Sequence, residues 1–299
     1  MNWKRWVNNS KSIFIDFFSG IGLFWLVIEI FSYSTDGAAD KYFKSVTVFV
    51  LAALLVILFS LWKNKPKTCF GYHLRGKDSY VEVKVGDAFD NIGALVVPVN
   101  NQFDMTLGGN VVKANSIQNQ LIRRFYSGKA EHILTDLSSK INIGNSYDIG
   151  KTVEVEQNGK KFYFVVNSTK NENNRVKSEI DDFISALNGL WQYIALESGR
   201  DSAVTIPLIN TQHGRDSYLT RKGTIKEIIA SYIDASKSLN ICEKLIISIY
   251  PDDLKKGQID LDEIDEFLKF SCKHYRQVIL GGKKEGEEQT SSKVIKIEN

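Results

Sequence analysis

Val46 to Trp62 is an unbroken apolar run, VTVFVLAALLVILFSLW, without a charge. At ~1.5 Å per residue a helix of this length covers roughly 25 Å, close to the ~30 Å hydrocarbon core of a bilayer. It lacks the polar face that a soluble core helix ordinarily keeps. Ile13 to Phe31, IFIDFFSGIGLFWLVIEIF, is equally apolar, with Asp16 and Glu29 near its ends, where a carboxylate reaches an interface. The pattern predicts a transmembrane hairpin with spans at about 13–31 and 45–62, inside an N-terminal unit of residues 1–67. A signal peptide is the alternative for the first span, but its apolar run is long for one and a second span follows at once. Lys4, Arg5 and Lys11 precede the hairpin, and Lys63, Lys65 and Lys67 follow it. The positive-inside rule then places both termini in the cytoplasm. Pro66 stops a continuous helix from entering the next unit.

From Tyr80 the period changes. Tyr80–Val85 alternates as a half-buried strand, and Ala94–Val99 is an apolar run of strand length. Val111–Tyr126 has helical spacing. Lys151–Glu156 and Lys161–Val166 flank an Asn158-Gly159 turn and read as a hairpin. Ile180–Glu197 reads as a helix capped by Ser178, Val204–Ile209 as a strand, and Gly223–Ser236 as a helix. Leu245–Tyr250 is a strand closed by Pro251, and Asp260–His274 a helix with acidic first turns. Alternating strands and helices predict an α/β fold over residues 68–280, a mixed sheet covered on both faces. Residues 281–299 read as a flexible polar tail.

Charge changes the picture in one respect. Residues 1–67 carry 8 basic and 4 acidic side chains, and the remainder carries 30 and 31. A nearly neutral C-terminal domain argues against nucleic acid as a main ligand. Cys69, Cys242 and Cys272 are sparse and far apart, which argues against a disulfide framework, and no CxxC pair suggests zinc.

Ligands of such sheets bind at the carboxyl ends of strands. Three candidate loops lie there. Gly86-Asp87 follows the first strand, and its carboxylate can accept a hydrogen bond from an exocyclic amine; the plain alternative is a turn or helix cap. Asn100-Asn101-Gln102-Phe103-Asp104 continues through Gly108-Gly109-Asn110 towards a helix, combining amides for hydroxyl groups with glycines that let backbone N–H groups approach phosphate. Thr211-Gln212-His213-Gly214-Arg215 gathers a hydroxyl, an imidazole and a guanidinium into a candidate anion cradle. No spacing supports a Ser-His-Asp or Cys-His catalytic set, and no catalytic or metal-ligating residue is assigned.

This order of elements resembles a macrodomain over roughly residues 70–280. The residues that carry the resemblance are Gly86-Asp87, the strand Leu95–Asn101 running into Gly108-Gly109, the stretch Ile141–Asp148, and Ile206–Arg215 at the second phosphate loop. Pro98 replaces the first Asn of the pattern common in macrodomain hydrolases, while Asn101 matches its last. With the two-span hairpin in front and Pro-Val-Asn-x-x-Phe-Asp in its loop, the chain resembles the membrane-anchored macrodomain effectors of type II Thoeris anti-phage defence.

The resemblance implies a receptor for an ADP-ribose-derived signal, histidine-conjugated ADP-ribose, made from NAD by a partner TIR-domain enzyme. It implies that Asp87, with Ala88 beside it, holds adenine. The Asn100, Asn101, Phe103 and Asp104 loop with Gly108, Gly109 and Asn110 would surround ribose and diphosphate, and Thr211, Gln212, His213, Gly214 and Arg215 would hold phosphate. It further implies homo-oligomerisation and damage to the bacterial inner membrane, with no cofactor. Two alternatives stand beside it: a membrane-tethered ADP-ribosylhydrolase using Asn101, and a membrane protein whose soluble domain binds only a protein partner.

Overall fold

The computed structural model describes residues 10–37, 45–64, 67–105, 116–170, 176–177, 179–208, 220–255 and 259–276. Two helices come first, α1 (Ser10–Ser34) and α2 (Val46–Lys63). Ser45 caps α2, its Oγ accepting from the Val48 N–H. The Ser60 hydroxyl donates to the Ile13 carbonyl at 3.0 Å, and a Cβ on Gly20 would stand 2.6 Å from Val56, so the helices pack antiparallel at close range. Small side chains at such a seam let two backbones approach. Near Ser60, Asp16 accepts from Lys63 Nζ and Asn64 Nδ2, both at 2.8 Å. Away from the seam the large apolar side chains are bare: Phe18 and Leu55 are each 66% exposed. Both helices are long and apolar enough to cross a membrane, and their exposed faces are not those of a soluble core.

The rest forms a mixed sheet. Its strands are β1 (Cys69–His73), β2 (Tyr80–Val85), β3 (Ala94–Asn100), β4 (Thr152–Gln157), β5 (Lys160–Lys170), β6 (Val176–Lys177), β7 (Asp201–Pro207) and β8 (Cys242–Ile249). Their order is β1-β2-β8-β7-β3-β5-β4, with β6 attached to β5. The five inner strands are mutually parallel, and β1 and β4 run antiparallel at the edges. Six further helices are α3 (Ile117–Phe125), α4 (Ala130–Ser138), α5 (Ile180–Tyr193), α6 (Arg221–Ala235), α7 (Pro251–Lys255) and α8 (Leu261–Lys273).

Alternation along the strands sorts the core into two layers. Ala94, Val96, Tyr163 and Val165 face the layer of α5, α6 and α8, centred on Trp191, Tyr232 and Ile264. Leu95, Val97, Phe162 and Phe164 face α3 and α4, centred on Leu121, Ile122 and Ile133. Gly93, at φ +79°, lets β3 meet β7; a Cβ there would stand 2.2 Å from the Ala203 carbonyl.

Several boundaries differ from the sequence reading. α5 starts at Ile180 as expected, with Glu179 at the cap position in a reciprocal capping box: the Glu179 side chain accepts from the Asp182 N–H, and the Glu179 N–H donates to the Asp182 side chain at 2.9 Å; Ser178 lies outside the described residues. α5 gives way at Ile194 to a π turn (Ile194–Ser198) instead of continuing to Glu197. β5 is longer than expected because Asn167 and Ser168 stay buried within it despite their polarity. β1, α4 and α7 are additional elements. β1 is a short edge strand whose Phe70 and Tyr72 meet one core layer, and α4 is a single short helix with Ala130, Ile133, Leu134 and Leu137 along its buried face. Pro251, expected only to close β8, also starts α7, where its missing N–H costs nothing. The 281–299 tail lies outside the described residues.

Candidate ligand-binding site

The candidate site is built at the carboxyl ends of the parallel strands. Gly86 donates its N–H to the Ile249 carbonyl at 3.0 Å, and its own carbonyl accepts from Ser248 Oγ at 3.2 Å. The Gly86-Asp87 turn is thus pinned to the end of β8. Asp87 then caps a 3-10 turn (Ala88–Asp90), its Oδ1 accepting from the Phe89 N–H at 3.0 Å. The turn and cap reading holds, and the carboxylate keeps a second oxygen for another partner. That oxygen, Oδ2, accepts from Arg124 on α3 at 2.6 Å. Ala88 is buried beneath the turn.

β3 delivers the second loop. The register slips between Val99 and Asn100, and the chain leaves the sheet. Asn100 is buried, and its Oδ1 accepts from the N–H groups of Gln102 at 3.0 Å and Asp104 at 3.1 Å. This Asx-type turn carries Phe103 into the left-handed region at φ +51°, where a bulky residue is held only by its surroundings. Phe103 is fully buried and meets Tyr147 edge-on, ring centroids 5.6 Å apart. It therefore anchors the loop from below.

Asn101 is engaged at both ends of its amide. Nδ2 donates to Ser146 Oγ at 2.8 Å, and Oδ1 accepts from the Lys170 N–H at 2.9 Å. Its backbone bonds Ser168 and Tyr147. Lys170 also reaches Asp104 with its Nζ at 2.6 Å, and both side chains are mostly shielded. One residue at the end of β5 thus ties down both ends of the Asn101–Asp104 loop, and the stretch Ile141–Asp148 packs against it through Tyr147. Ser116 caps α3 beyond the loop, and Asn119 in the first turn keeps a buried Oδ1 without a hydrogen-bond partner.

Gly108, Gly109, Asn110, Thr211, Gln212, His213, Gly214 and Arg215 lie outside the described residues. The structure thus relates Asp87 to Arg124, and Asn100, Asn101, Phe103 and Asp104 to one another. Arg124 and Lys170 were not singled out from sequence. Their partners stand 37 and 66 residues away, so no local pattern marks them. Among the described residues, no three His, Cys, Asp or Glu side chains are grouped to hold a metal.

The same sheet end receives the chain from the hairpin. The Val85 N–H donates to the Thr68 carbonyl at 2.8 Å, and Cys69 pairs with Lys84. Lys67 Nζ bonds Asp265 at 3.2 Å, and Asp265 also accepts from the Tyr72 hydroxyl at 2.6 Å, which pushes that phenol up to about 12. From Asn64 to Lys67 there are three peptide units, at most about 11 Å of chain. The end of α2 is therefore tethered close to the turn that carries Asp87.

Residues 81–250, from β2 through the end of β8, match the family model described as Thoeris protein ThsA, Macro domain. The chain belongs to the Thoeris ThsA macrodomain family. Its mixed sheet with flanking helices is macrodomain-like, and the two apolar N-terminal helices fit a transmembrane hairpin. The matched region includes the Asp87 turn, the Asn100–Asp104 loop and the 211–215 stretch. Among solved structures, an asparagine-to-alanine mutant of the Oceanobacillus iheyensis macrodomain is similar at 13% identity and TM-score 0.48, over 68% of this chain and 94% of that one. A glycine-to-valine mutant of the same macrodomain, solved with ADPR, is similar at 15% identity and TM-score 0.46, over 66% and 99%. A tomato leucine aminopeptidase mutant is similar at 16% identity and TM-score 0.43, over 66% and 36%. A comparison with curated proteins returns no match.

Proposed function

We propose that this protein is a membrane effector of bacterial anti-phage defence, switched by an ADP-ribose-derived signal bound at the carboxyl end of its sheet. Asp87 accepts from the exocyclic amine of adenine. The Asn100–Asp104 loop with Gly108, Gly109 and Asn110 encloses ribose and diphosphate, and Thr211–Arg215 balances the phosphate charge. The signal is histidine-conjugated ADP-ribose, supplied by a TIR-domain enzyme. The hairpin spans the inner membrane, with both termini and the macrodomain in the cytoplasm.

The observation that carries this reading is the joint at Thr68. A ligand can shift the hairpin only if it binds one arrangement better than another. Six peptide units, from Lys63 to Cys69, separate the end of α2 from a strand paired beside the Asp87 turn. Two helices cannot line a pore by themselves, and their outer faces are apolar all round, so the active form is a homo-oligomer in which hairpins assemble and breach the bilayer. Binding is favoured over hydrolysis because both ends of the Asn101 amide are already taken by the fold.

Dye release from proteoliposomes tests the proposal. Wild-type protein should release trapped dye on addition of histidine-conjugated ADP-ribose and return the ligand chemically unchanged. Asp87→Ala should release none at the same concentration. Release independent of ligand, or conversion of the ligand to ADP-ribose by wild type but not by Asn101→Ala, would overturn it, the second in favour of the tethered hydrolase.

A further inference from the structure

Arg124 occupies a built position. Its guanidinium carbon lies 4.5 Å from the centroid of the Phe89 ring, which in turn stacks on Phe125 at 6.1 Å. Phe89 is buried, so the plate beneath the guanidinium is fixed. Both hydrogen bonds of Arg124, to Asp87 at 2.6 Å and to Gln120 at 3.3 Å, come from the same terminal nitrogen, Nη2. Among the described residues Nη1 and Nε have no hydrogen-bond partner, and the side chain is 41% exposed. Asp87 likewise uses two of the roughly four lone-pair directions that a carboxylate offers. An acceptor and a flat, oriented donor therefore stand side by side at the mouth of the Asp87 turn.

A purine edge of the adenine type presents the complement: an amine N–H donor next to a ring-nitrogen acceptor, N1 on one side and N7 on the other. We infer that Arg124 is a specificity-determining residue of the nucleobase subsite, donating to the ring nitrogen that flanks the exocyclic amine bound by Asp87. This deepens the proposed function and rests on its placement of adenine at Asp87. The ion pair costs little to re-aim, since an exposed pair is worth only about 0–1 kcal/mol.

The test is calorimetric titration of the full chain in detergent with ADP-ribose and with its 1-deaza- and 7-deaza-adenine analogues, each lacking one ring acceptor but keeping the amine. Arg124→Ala should weaken ADP-ribose about 10- to 100-fold, the loss expected for a charge-assisted hydrogen bond. In wild type one of the two deaza replacements should cost a similar factor, and in Arg124→Ala that cost should vanish. Arg124→Lys keeps the charge but loses the planar fork, should behave like the alanine variant, and carries the test should that variant fail to fold. Equal binding by wild type and variants, or a deaza cost that persists in them, overturns the role of Arg124 and leaves the function standing. Tighter binding by Arg124→Ala overturns it too, making Arg124 a plug on Asp87. Absence of wild-type binding to ADP-ribose, to both analogues and to histidine-conjugated ADP-ribose overturns the shared reading.

Discussion

Replacing Asn101 by alanine separates a structural from a catalytic asparagine. Asn101 is 9% exposed. The substitution removes the bond to Ser146, which is exposed enough for water to take its place, and strands the half-buried Lys170 N–H that Oδ1 now satisfies. A lost exposed bond costs about 0.5 kcal/mol and a stranded backbone donor about 1–3 kcal/mol, so the variant should lose about 1.5–3.5 kcal/mol. At ~2–4 °C per kcal/mol for a domain of this size, Tm should fall by about 3–14 °C. Circular dichroism melts of the detergent-solubilised chain read this directly. Asn101→Asp retains the acceptor for Lys170 and should recover part of the loss. An Asn101→Ala variant that melts like wild type yet abolishes turnover of an ADP-ribosylated substrate would refute the reasoning and make the residue catalytic.

Other predictions follow from single features. Burial pushes the Cys242 and Cys272 thiols up to about 12, and Cys69 is the exposed cysteine, so a disulfide reagent should label one thiol in the native chain and three after denaturation; two or more native labels would contradict the packing. Gly93→Ala adds a Cβ 2.2 Å from the Ala203 carbonyl at a positive φ and should destabilise by more than 1 kcal/mol in a urea titration, where an unchanged midpoint would show that β3 and β7 can separate. Hydrogen bonds from Lys222 and Lys226 hold the Glu263 carboxyl below its ordinary value of 4.5. Its stabilising effect is therefore present above that value and lost as pH falls through the lowered one. Glu263→Gln should flatten the loss of stability below about pH 4.5, and an unchanged acid limb would discount the contact. Gly20→Leu should force α1 and α2 apart at Val56 and lower the melting temperature in detergent; no change would mean the seam is looser than described.

Much of the fold was legible because it rests on period. The uncharged run at Val46–Trp62 and the alternation at Tyr80–Val85 name their elements from local pattern alone. β1 was not legible: Cys69–His73 offers only Phe70 and Tyr72 as alternating apolar positions around a glycine, too short a pattern to name a strand, and pairing with β2 creates it. The start of α5 at Ile180 was legible too, while the Glu179–Asp182 capping box that fixes it was not. At the site, the Gly86-Asp87 and Asn100-Asn101 positions could be found from strand ends and glycine spacing. What holds them could not, since Arg124 and Lys170 reach their partners across different elements. Asn101 is the instructive case: its residue type suits hydrolysis or binding equally, and its ties to Ser146 and Lys170 come from segments remote in sequence.

The sheet end tethered to the hairpin is proposed to receive an ADP-ribose-derived ligand. Titrating the full chain in lipid nanodiscs with ADP-ribose and histidine-conjugated ADP-ribose tests it most directly. Saturable heat is expected at sub-millimolar concentration, stronger for the conjugate and lost in Asp87→Ala. Silence with both ligands, or undiminished binding by Asp87→Ala, would contradict it.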